Sequence, residues 1–308
     1  MKILRNVRTA PAKTAIAIGS FDGVHRGHAA ILERVVTEAR TRGLVPAVLT
    51  FEPLPREFFS PATAPARLTT LPERLAAIAE LGIAVTFVQR FDANFAALSP
   101  DAFARRLHDA WGARWVMVGP DFRYGAKRAG DVKTLEAAGK AQGFEVAILP
   151  RVDDSQGRVS STRVREALAR ADFAQAARLL GRPYSICGRV MHGAKRGRVL
   201  GFPTANIKLG RLKPAVTGIF AVKCYGAATR GLEGVASLGL NPAVNVNGPA
   251  TLEAFLFDFS GDLYGRRLRI EFHKKLRDEA PFASLDELAV QIRRDCDEAR
   301  EFFKGTAD

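Results

Sequence analysis

Short apolar runs alternate with helical patterns from Thr14 to about Leu180, and this alternation restricts the fold more than any other feature of the chain. A helix start is marked, for example, where Ser99 is followed by Pro100 at the first helical position. The candidate strands are Thr14 to Ile18, Val45 to Phe51, Ala84 to Val88, Trp115 to Val118 and Phe144 to Ile148. Strands and helices at this spacing predict a doubly wound α/β domain, whose parallel sheet is covered on both faces. Ligands of such domains bind at the carboxyl ends of the strands.

The pattern changes after about Pro183 to short β-rich runs separated by glycine and proline. These runs are Ser185 to Val190, Gly218 to Tyr225, Leu232 to Leu238, Leu252 to Phe257 and Arg267 to Phe272. Runs of this kind predict a small barrel or sandwich. A capping box at Ser284 and Glu287 then begins a helix with an apolar stripe, formed by Leu285, Leu288, Ala289, Ile292, Cys296 and Ala299. We therefore predict two domains, at residues 1–182 and 183–308.

The charge balance favours anionic partners. Lysine and arginine number 46 against 32 aspartates and glutamates, a formal net charge of +14, which suits nucleotides, phosphates or nucleic acid. The three cysteines form no CxxC pair, which excludes a disulfide framework or a zinc cluster built from them. Residues 1–13 lack the apolar core of a secretory signal, and no run approaches the roughly 18 apolar residues of a membrane span. We expect a soluble protein of the cytoplasm with no membrane partner.

The segment Gly19-Ser-Phe-Asp-Gly-Val-His-Arg-Gly-His28 follows the first predicted strand and opens the next helix. Its three glycines let the backbone approach a ligand, and His25 and His28 share one face of the first helical turn. A helix N-terminus offers unpaired N–H groups to an anion, and two imidazoles can donate hydrogen bonds to phosphate. The segment therefore indicates a phosphate site. A pair of surface histidines beside an ordinary turn is the alternative, whereas a zinc site lacks a third ligand nearby.

Two further segments carry groups suited to a nucleotide. Val159-Ser-Ser-Thr-Arg-Val-Arg165 begins a helix with hydroxyls and two arginines, which suits a polyphosphate, although a plain cap with solvated arginines is the alternative. Val118-Gly-Pro-Asp-Phe-Arg-Tyr-Gly-Ala-Lys-Arg-Ala-Gly-Asp131 follows a predicted strand, where its aromatic rings can stack on a ligand ring while its cations meet negative charge.

The stretch from Arg189 to Lys213 contains seven basic residues and no acidic one. A flexible basic loop that leads into a threonine and an asparagine can fold over phosphates and offer neutral oxygens to Mg²⁺. A basic nucleic-acid-binding hairpin is the alternative, although Phe202 is the one aromatic residue in the stretch. In a later run, alternation places Glu253, Phe255 and Phe257 on one face. An acid beside two phenyl rings indicates a cavity or, alternatively, an edge strand facing water.

These motifs together resemble the nucleotidyltransferase superfamily, whose His-x-Gly-His signature is present as His25-Arg-Gly-His28 and whose second signature matches Ser160-Ser-Thr-Arg-Val-Arg165. The fuller G-x-F-D-G-V-H-x-G-H form and Val-Gly-x-Asp-Phe-Arg-Tyr-Gly resemble the bacterial bifunctional riboflavin kinase/FAD synthetase family. The resemblance implies a domain that adenylylates FMN, with His25 and His28 steadying the charge on the reacting phosphates. It assigns ATP to Gly19, Phe21, Asp22, Gly23, Ser160, Ser161, Thr162 and Arg165, and flavin or nucleotide to Asp121, Phe122, Tyr124 and Arg128.

The second half resembles the kinase domain of the same family, through Gly201-Phe-Pro-Thr-Ala-Asn206 and Thr251-Leu-Glu-Ala-Phe-Leu-Phe-Asp-Phe259. The resemblance implies an antiparallel β-barrel with a C-terminal helix, in which Glu253 deprotonates the 5′-hydroxyl of riboflavin. ATP is assigned to Gly193, Lys195, Gly201, Thr204 and Asn206, Mg²⁺ to Thr204 and Asn206, and the flavin to Arg277 and Phe282. Ala243 and Val244 depart from the Thr and Phe usual in the family.

The chain from about Thr14 to Phe303 thus predicts a bifunctional enzyme that makes FMN from riboflavin and FAD from FMN, with ATP as co-substrate of both steps. Its expected partners are the small molecules riboflavin, FMN and ATP, not nucleic acid. Two alternatives remain open. One is an adenylyltransferase whose second domain only binds a ligand, and the other is a basic nucleic-acid-binding protein. No motif specifies an oligomeric state.

Overall fold

The computed structural model describes residues 1–193, 200–210, 213–239 and 250–305. The chain forms two compact units, Met1–Pro65 with Leu71–Ser160, and Ala66–Thr70 with Ser161–Asp308. The second unit begins ahead of residue 183 because helices that precede the barrel pack on it. Phe173, for example, lies with its ring centroid 5.8 Å from that of Phe220 and 6.3 Å from that of Phe272.

The first unit is built around a parallel sheet. Its strands are β1 (Lys2–Arg5), β2 (Thr14–Ile18), β3 (Val45–Glu52), β4 (Val85–Arg90), β5 (Ala113–Val118) and β6 (Glu145–Ile148). They lie in the order β1-β4-β3-β2-β5-β6. After β2 the chain adds β3 and β4 on one side and then β5 and β6 on the other, so the winding reverses between β2 and β5. Ligands bind at such a reversal, outside the carboxyl ends of the strands.

Helices cover both faces of this sheet. They are α1 (Arg26–Thr41), α2 (Pro55–Phe59), α3 (Leu71–Glu80), α4 (Ala93–Ala96), α5 (Pro100–Asp109) and α6 (Val132–Gln142). On one face Ile16 shares a core with Leu107 of α5 and Leu135 of α6, and on the other Ala17 packs with Leu32 of α1. All residues of β2 are buried, as expected for a strand covered on both sides. The doubly wound prediction is confirmed.

The second unit contains a closed antiparallel barrel. After a short hairpin in the first unit, β7 (Asp153–Asp154) and β8 (Gly157–Arg158), come α7 (Ser161–Ala169) and α8 (Phe173–Leu180). The barrel strands are β9 (Ser185–Met191), β10 (Thr204–Ile207), β11 (Gly218–Tyr225), β12 (Leu232–Gly239), β13 (Thr251–Leu256) and β14 (Arg267–Arg277). Their order is β10-β13-β12-β11-β14-β9, and β9 pairs with β10 to close the barrel. The predicted barrel is confirmed.

The C-terminal helix α9 (Leu285–Lys304) covers part of the outer face of the barrel. Val235 of β12 packs with Cys296 and Ala299 of this helix. Ser284 caps the helix by accepting a hydrogen bond from the backbone N–H three residues on, at 3.2 Å. The predicted apolar stripe is confirmed except at Leu285, the first helical residue, which is 59% exposed.

Besides the short hairpin β7–β8, one strand of the parallel sheet and one strand of the barrel were not expected from the sequence. The strand β1 joins the edge of the sheet by pairing with β4. The strand β10 alternates Thr204 and Asn206 with the buried Ala205 and Ile207, so its polar side chains lie on the outer face of the barrel. Within the described ranges, no helix is both long enough and apolar enough to cross a membrane.

Candidate active sites

A tight turn links the carboxyl end of β2 to the first residue of α1. Its backbone has positive φ at Phe21 (50°), Gly23 (86°) and Val24 (42°), a region that non-glycine residues rarely occupy. The turn ends at His25, which caps α1 because its Nδ1 accepts a hydrogen bond from the backbone N–H of His28 at 3.3 Å. The first turn of α1 therefore begins directly at the carboxyl edge of the sheet.

The rings of His25 and His28 stack with centroids 3.7 Å apart and planes 14° from parallel, so the expectation that they share one face is confirmed. Because the Nδ1 of His25 accepts a hydrogen bond, its ring proton is assigned to Nε2, which becomes the donor. The pKa of His28 lies well below its ordinary value because of burial first, and then because protonated His25 and the charges of Arg158 and Arg74 would repel a proton on His28. His28 is therefore a neutral hydrogen-bonding ring at neutral pH.

Gly27 leaves room for its neighbours in this turn. A Cβ at Gly27 would lie 3.2 Å from the imidazole of His25 and 3.4 Å from the carbonyl oxygen of Val159. The segment that precedes the second signature therefore lies against the histidine turn. Of the signature residues, Ser160 is the last residue of the first unit, and the second unit contains Ser161, Thr162 and Arg165.

Two arginines that the motifs did not reveal hold the carboxylate of Asp121. Arg158 of β8 donates to the carboxylate of Asp121 at 2.8 Å, and Arg151 donates to both of its oxygens at 3.0 and 3.1 Å. These hydrogen bonds, that of Arg151 first, hold the pKa of Asp121 below its usual value. Since Arg158 also contributes to the lowered pKa of His28, the hairpin β7–β8 brings positive charge to the histidine turn.

Arg74 of α3 is a further residue that no sequence motif marks. Its side chain is fully buried and donates to the carbonyl oxygen of Ser20 at 2.9 Å and to that of Phe51 at 3.0 Å. It also donates to Oε2 of Glu52 at 2.9 Å. These contacts join the turn after β2 to the carboxyl end of β3. A single arginine on a short helix gives no local sign of such a role.

The residues assigned to flavin or nucleotide after β5 divide between core and surface. Tyr124 is 6% exposed, and its ring packs 5.2 Å from that of Phe103 and against the backbone of Gly130. Phe122 stacks on Tyr124 with planes 16° apart and is half-buried, and Arg128 is exposed. The structure thus leaves Phe122 and Arg128 with surface for a ligand, whereas Tyr124 supports the loop from within.

In the second unit, the outer face of the barrel brings Glu253 next to both residues assigned to Mg²⁺. Glu253 of β13 pairs in register with Asn206 of β10, and the hydroxyl of Thr204 donates to Oε2 of Glu253 at 3.1 Å. The intervening residues of β13 are buried, so the predicted alternation is confirmed. On the same face, Phe255 packs edge-on against Phe202 with centroids 5.4 Å apart. A carboxylate, a hydroxyl and an amide therefore share one surface beside aromatic rings.

The glycines assigned to ATP in this unit have separate roles. A Cβ at Gly193 would lie closer than 3.0 Å to the side-chain amide of Asn206, so a side chain there displaces that amide. Gly201 has a φ of 83°, which favours glycine. Lys195, Ala243 and Val244 lie outside the described residues.

A transverse row of residues connects Glu253 to the expected flavin contacts. Strand pairing places Glu253 beside Ser237, Ser237 beside Ile219, and Ile219 beside Arg277. The segment that follows Arg277 returns along this row, because the hydroxyl of Ser237 donates to Oε1 of Glu279 at 3.1 Å. The 277–279 segment therefore lies close to the strand residue next to Glu253.

Arg277 and Phe282, both assigned to the flavin, contact each other. The guanidinium carbon of Arg277 lies 5.6 Å from the ring centroid of Phe282. Arg277 is half-buried, and Phe282 is also partly exposed. The structure brings these two residues together at the end of the row that begins at Glu253.

Comparison with known proteins agrees with this arrangement in both halves of the chain. Residues 7–163 match the family model described as FAD synthetase, and residues 180–303 match that described as riboflavin kinase. The bifunctional riboflavin kinase/FMN adenylyltransferase of Escherichia coli (strain K12) is 44% identical over 308 residues, which cover 98% of each chain. The enzyme of that name from Pseudomonas fluorescens is 46% identical over 298 residues, which cover 96% of this chain and 95% of the relative.

A solved structure shares the fold along nearly the whole chain. It is described as a macrolide-efflux protein from Streptococcus pneumoniae, with a TM-score of 0.78 and 27% identity, and the match covers 96% of this chain and 97% of that one. The two family models match consecutive parts of the chain, and the identity to named enzymes extends along nearly its whole length. The chain belongs to the family of bifunctional riboflavin kinase/FMN adenylyltransferases.

Proposed function

We propose that this chain phosphorylates riboflavin to FMN and adenylylates FMN to FAD, with ATP as co-substrate of both steps. Residues 1–182 are proposed as the adenylyltransferase domain and residues 183–308 as the kinase domain. The observation that carries the proposal is the shared face of β10 and β13. There the Thr204 hydroxyl and Asn206 lie beside the Glu253 carboxylate, in a chain of this enzyme family.

In the kinase step, Glu253 accepts the proton of the riboflavin 5′-hydroxyl as that oxygen attacks the γ-phosphorus of ATP. The new O–P bond forms while the bond between the γ-phosphorus and the β–γ bridging oxygen breaks, and ADP leaves with that electron pair. The partners of Glu253 support this role, because a hydroxyl that donates to the carboxylate fixes its orientation. The residues proposed to bind ATP are Gly193, Lys195, Gly201, Thr204 and Asn206.

The residues beside Glu253 fit Mg²⁺, which binds oxygen ligands and is held by few protein groups together with substrate phosphates. Thr204 and Asn206 offer neutral oxygens on one face, next to a carboxylate. Among the described residues, no group of three or more His, Cys, Asp or Glu side chains forms a metal site by itself. Held there together with ATP, the ion would supply positive charge to the outer phosphates.

In the adenylyl step, an oxygen of the FMN phosphate attacks the α-phosphorus of ATP, the bond to the α–β bridging oxygen breaks, and pyrophosphate leaves with that electron pair. The Nε2–H of His25 and the ring of His28 are proposed to stabilise the charge on these phosphates. ATP is proposed to contact Gly19, Phe21, Asp22, Gly23, Ser160, Ser161, Thr162 and Arg165. Flavin or nucleotide is proposed to contact Asp121, Phe122 and Arg128, with Tyr124 supporting their loop.

A cytoplasmic location is also part of the proposal. The structure has Cys187, Cys224 and Cys296 as free thiols, which suits a reducing compartment that contains ATP. The partners proposed are the small molecules riboflavin, FMN and ATP.

The test is incubation of the purified chain with riboflavin, ATP and Mg²⁺, followed by separation of the flavins. Glu253→Gln keeps the shape of the side chain but removes the base, so FMN formation should fall at least about 100-fold. FAD formation from supplied FMN should stay unchanged. Glu233→Gln, on the exposed surface of β12, is the matched control and should alter neither rate. Undiminished FMN formation in the Glu253 variant rejects Glu253 as the base, and a wild-type chain that forms no FAD rejects the adenylyltransferase assignment.

A further inference from the structure

A buried carboxylate on the C-terminal helix lies behind the segment that carries Arg277 and Phe282. Asp295 of α9 is 3% exposed. Its carboxylate accepts hydrogen bonds from Nε of Arg277 at 2.9 Å and from Nη2 at 2.8 Å, and the side chain of Gln291 donates to the same carboxylate at 2.9 Å. A planar guanidinium held at two nitrogens by one carboxylate has a fixed orientation.

The remaining groups of this guanidinium hold the start of the following segment. Nη1 of Arg277 donates to the carbonyl oxygen of Asp278 at 3.0 Å. The guanidinium carbon lies 5.6 Å from the ring centroid of Phe282, within the range of a cation–π contact. Arg277 therefore joins α9, through Asp295, to both ends of the segment 278–282.

The same segment touches the strand next to Glu253. The carboxylate of Glu279 accepts a hydrogen bond from Ser237, the residue paired with Glu253 across β12 and β13. It also lies directly against the backbone of Gly239, where a Cβ would overlap it. A displacement of the segment 278–282 would therefore alter the surface on which the riboflavin hydroxyl is proposed to lie.

Stability alone is a weak explanation for an ion pair at this position. Removing charges from water is costly, and an apolar pair of similar volume often stabilises a helix contact as well or better. The neighbouring positions Cys296 and Ala299 of α9 do pack by apolar contact. The Asp295–Arg277 pair additionally fixes the orientation of the guanidinium, which an apolar contact does not.

We infer that Asp295 is a positioning residue of the riboflavin site, which orients Arg277 so that the segment 278–282 is held beside Glu253. The inference rests on the proposed kinase function. Asp295 does not touch substrate, and its effect passes through Arg277.

Asp295→Asn tests this, because the amide keeps the size of the side chain but not its charge. Glu298→Gln is the matched control: Glu298 lies on the same helix and pairs with Lys274 of β14 at 2.8 Å, but on the exposed surface. We expect Asp295→Asn to raise the KM for riboflavin about tenfold. The kinase kcat, its KM for ATP and the rate of FMN adenylylation should each stay within about twofold. The control should change none of these values.

A double-mutant cycle separates positioning from support of the fold. In an Arg277→Ala background, Asp295→Asn should raise the riboflavin KM by no more than about twofold, because the side chain through which Asp295 acts is already absent. A further tenfold rise would overturn the inference. So would an unchanged KM in the single variant, or a loss of both activities together. Quenching of riboflavin fluorescence on binding provides the same comparison without turnover. If the wild-type chain binds riboflavin but forms no FMN, the kinase assignment is rejected. The role of Asp295 in riboflavin binding is then still tested by the quenching measurement.

Discussion

Replacing Arg74 by methionine tests whether one buried guanidinium supports the turn that carries the histidine pair. Methionine keeps much of the apolar volume but has no donor, so the carbonyl oxygens of Ser20 and Phe51 and the carboxylate of Glu52 each lose the hydrogen bond from Arg74. The contact with the Phe51 carbonyl is buried, and an unsatisfied buried acceptor costs about 1–3 kcal/mol. The other two acceptors lie closer to solvent and cost less. We expect the free energy of unfolding of the first unit to fall by about 3 kcal/mol.

Tryptophan fluorescence measures this loss in the first unit alone. The two tryptophans of the sequence, Trp111 and Trp115, both lie in cores of that unit. Urea unfolding of the Arg74→Met variant should therefore show an earlier fluorescence transition. Because Ser20 follows Gly19 in the turn, the variant should also form FAD more slowly, while FMN formation by the second unit stays at the wild-type rate.

Arg34→Met is the matched control for this experiment. Arg34 pairs with Glu38 at the exposed surface of α1, so its removal should cost less than about 1 kcal/mol. If Arg74→Met lowers the free energy of unfolding by less than about 1 kcal/mol, or by no more than the control does, the buried contacts of Arg74 do not support the turn.

Two further substitutions test the local chemistry. Burial, His25, Arg158 and Arg74 lower the pKa of His28, so below its ordinary value of 6.5 the unfolded chain binds a proton that the folded chain does not. The free energy of unfolding of the first unit should therefore fall as the pH is lowered from about 7.5 to about 5.5, and His28→Gln should reduce that fall. Urea unfolding followed by tryptophan fluorescence measures both. If the variant shows the same dependence of stability on pH as the wild type, the lowered pKa of His28 is contradicted. Gly193→Ala forces the Asn206 amide from its place, so the kinase KM for ATP should rise about three- to tenfold while FAD formation is unaffected. Steady-state kinetics of both reactions measure this, and an unchanged KM would mean that Asn206 does not contact the nucleotide complex.

The parts of the sites that depend on local spacing were predictable. Residues three apart at a helix start lie on one face, and His25 and His28 stack accordingly. Alternate residues of a strand face opposite sides, and Glu253 shares its face with Phe255 for that reason. The Thr-Ala-Asn-Ile pattern of β10 carries the same signal, but its short length beside a glycine- and proline-rich loop obscured it.

Roles that depend on distant partners were not predictable. Arg74 lies 54 residues from Ser20, and Arg158 lies 37 residues from Asp121. In its own segment each of these arginines is indistinguishable from a solvated charge. Tyr124 shows the converse case, because an aromatic residue in a loop suggests a stacking surface. Only the return of the chain, which places Gly130 against the ring, makes it a core residue.

The two proposed reactions differ in whether the attacking oxygen still carries a proton. The groups that the two proposed sites provide differ accordingly. The second pKa of a phosphate ester is about 6, so FMN presents an ionised nucleophile at neutral pH and its adenylylation needs no general base. The histidine pair at the start of α1 and nearby Arg158 supply hydrogen bonds and positive charge, and the Asp121 carboxylate is paired with arginines. The riboflavin hydroxyl still holds its proton, so the kinase step needs a proton acceptor. The barrel provides one in Glu253, held by a hydroxyl and placed among neutral oxygens that can face the triphosphate.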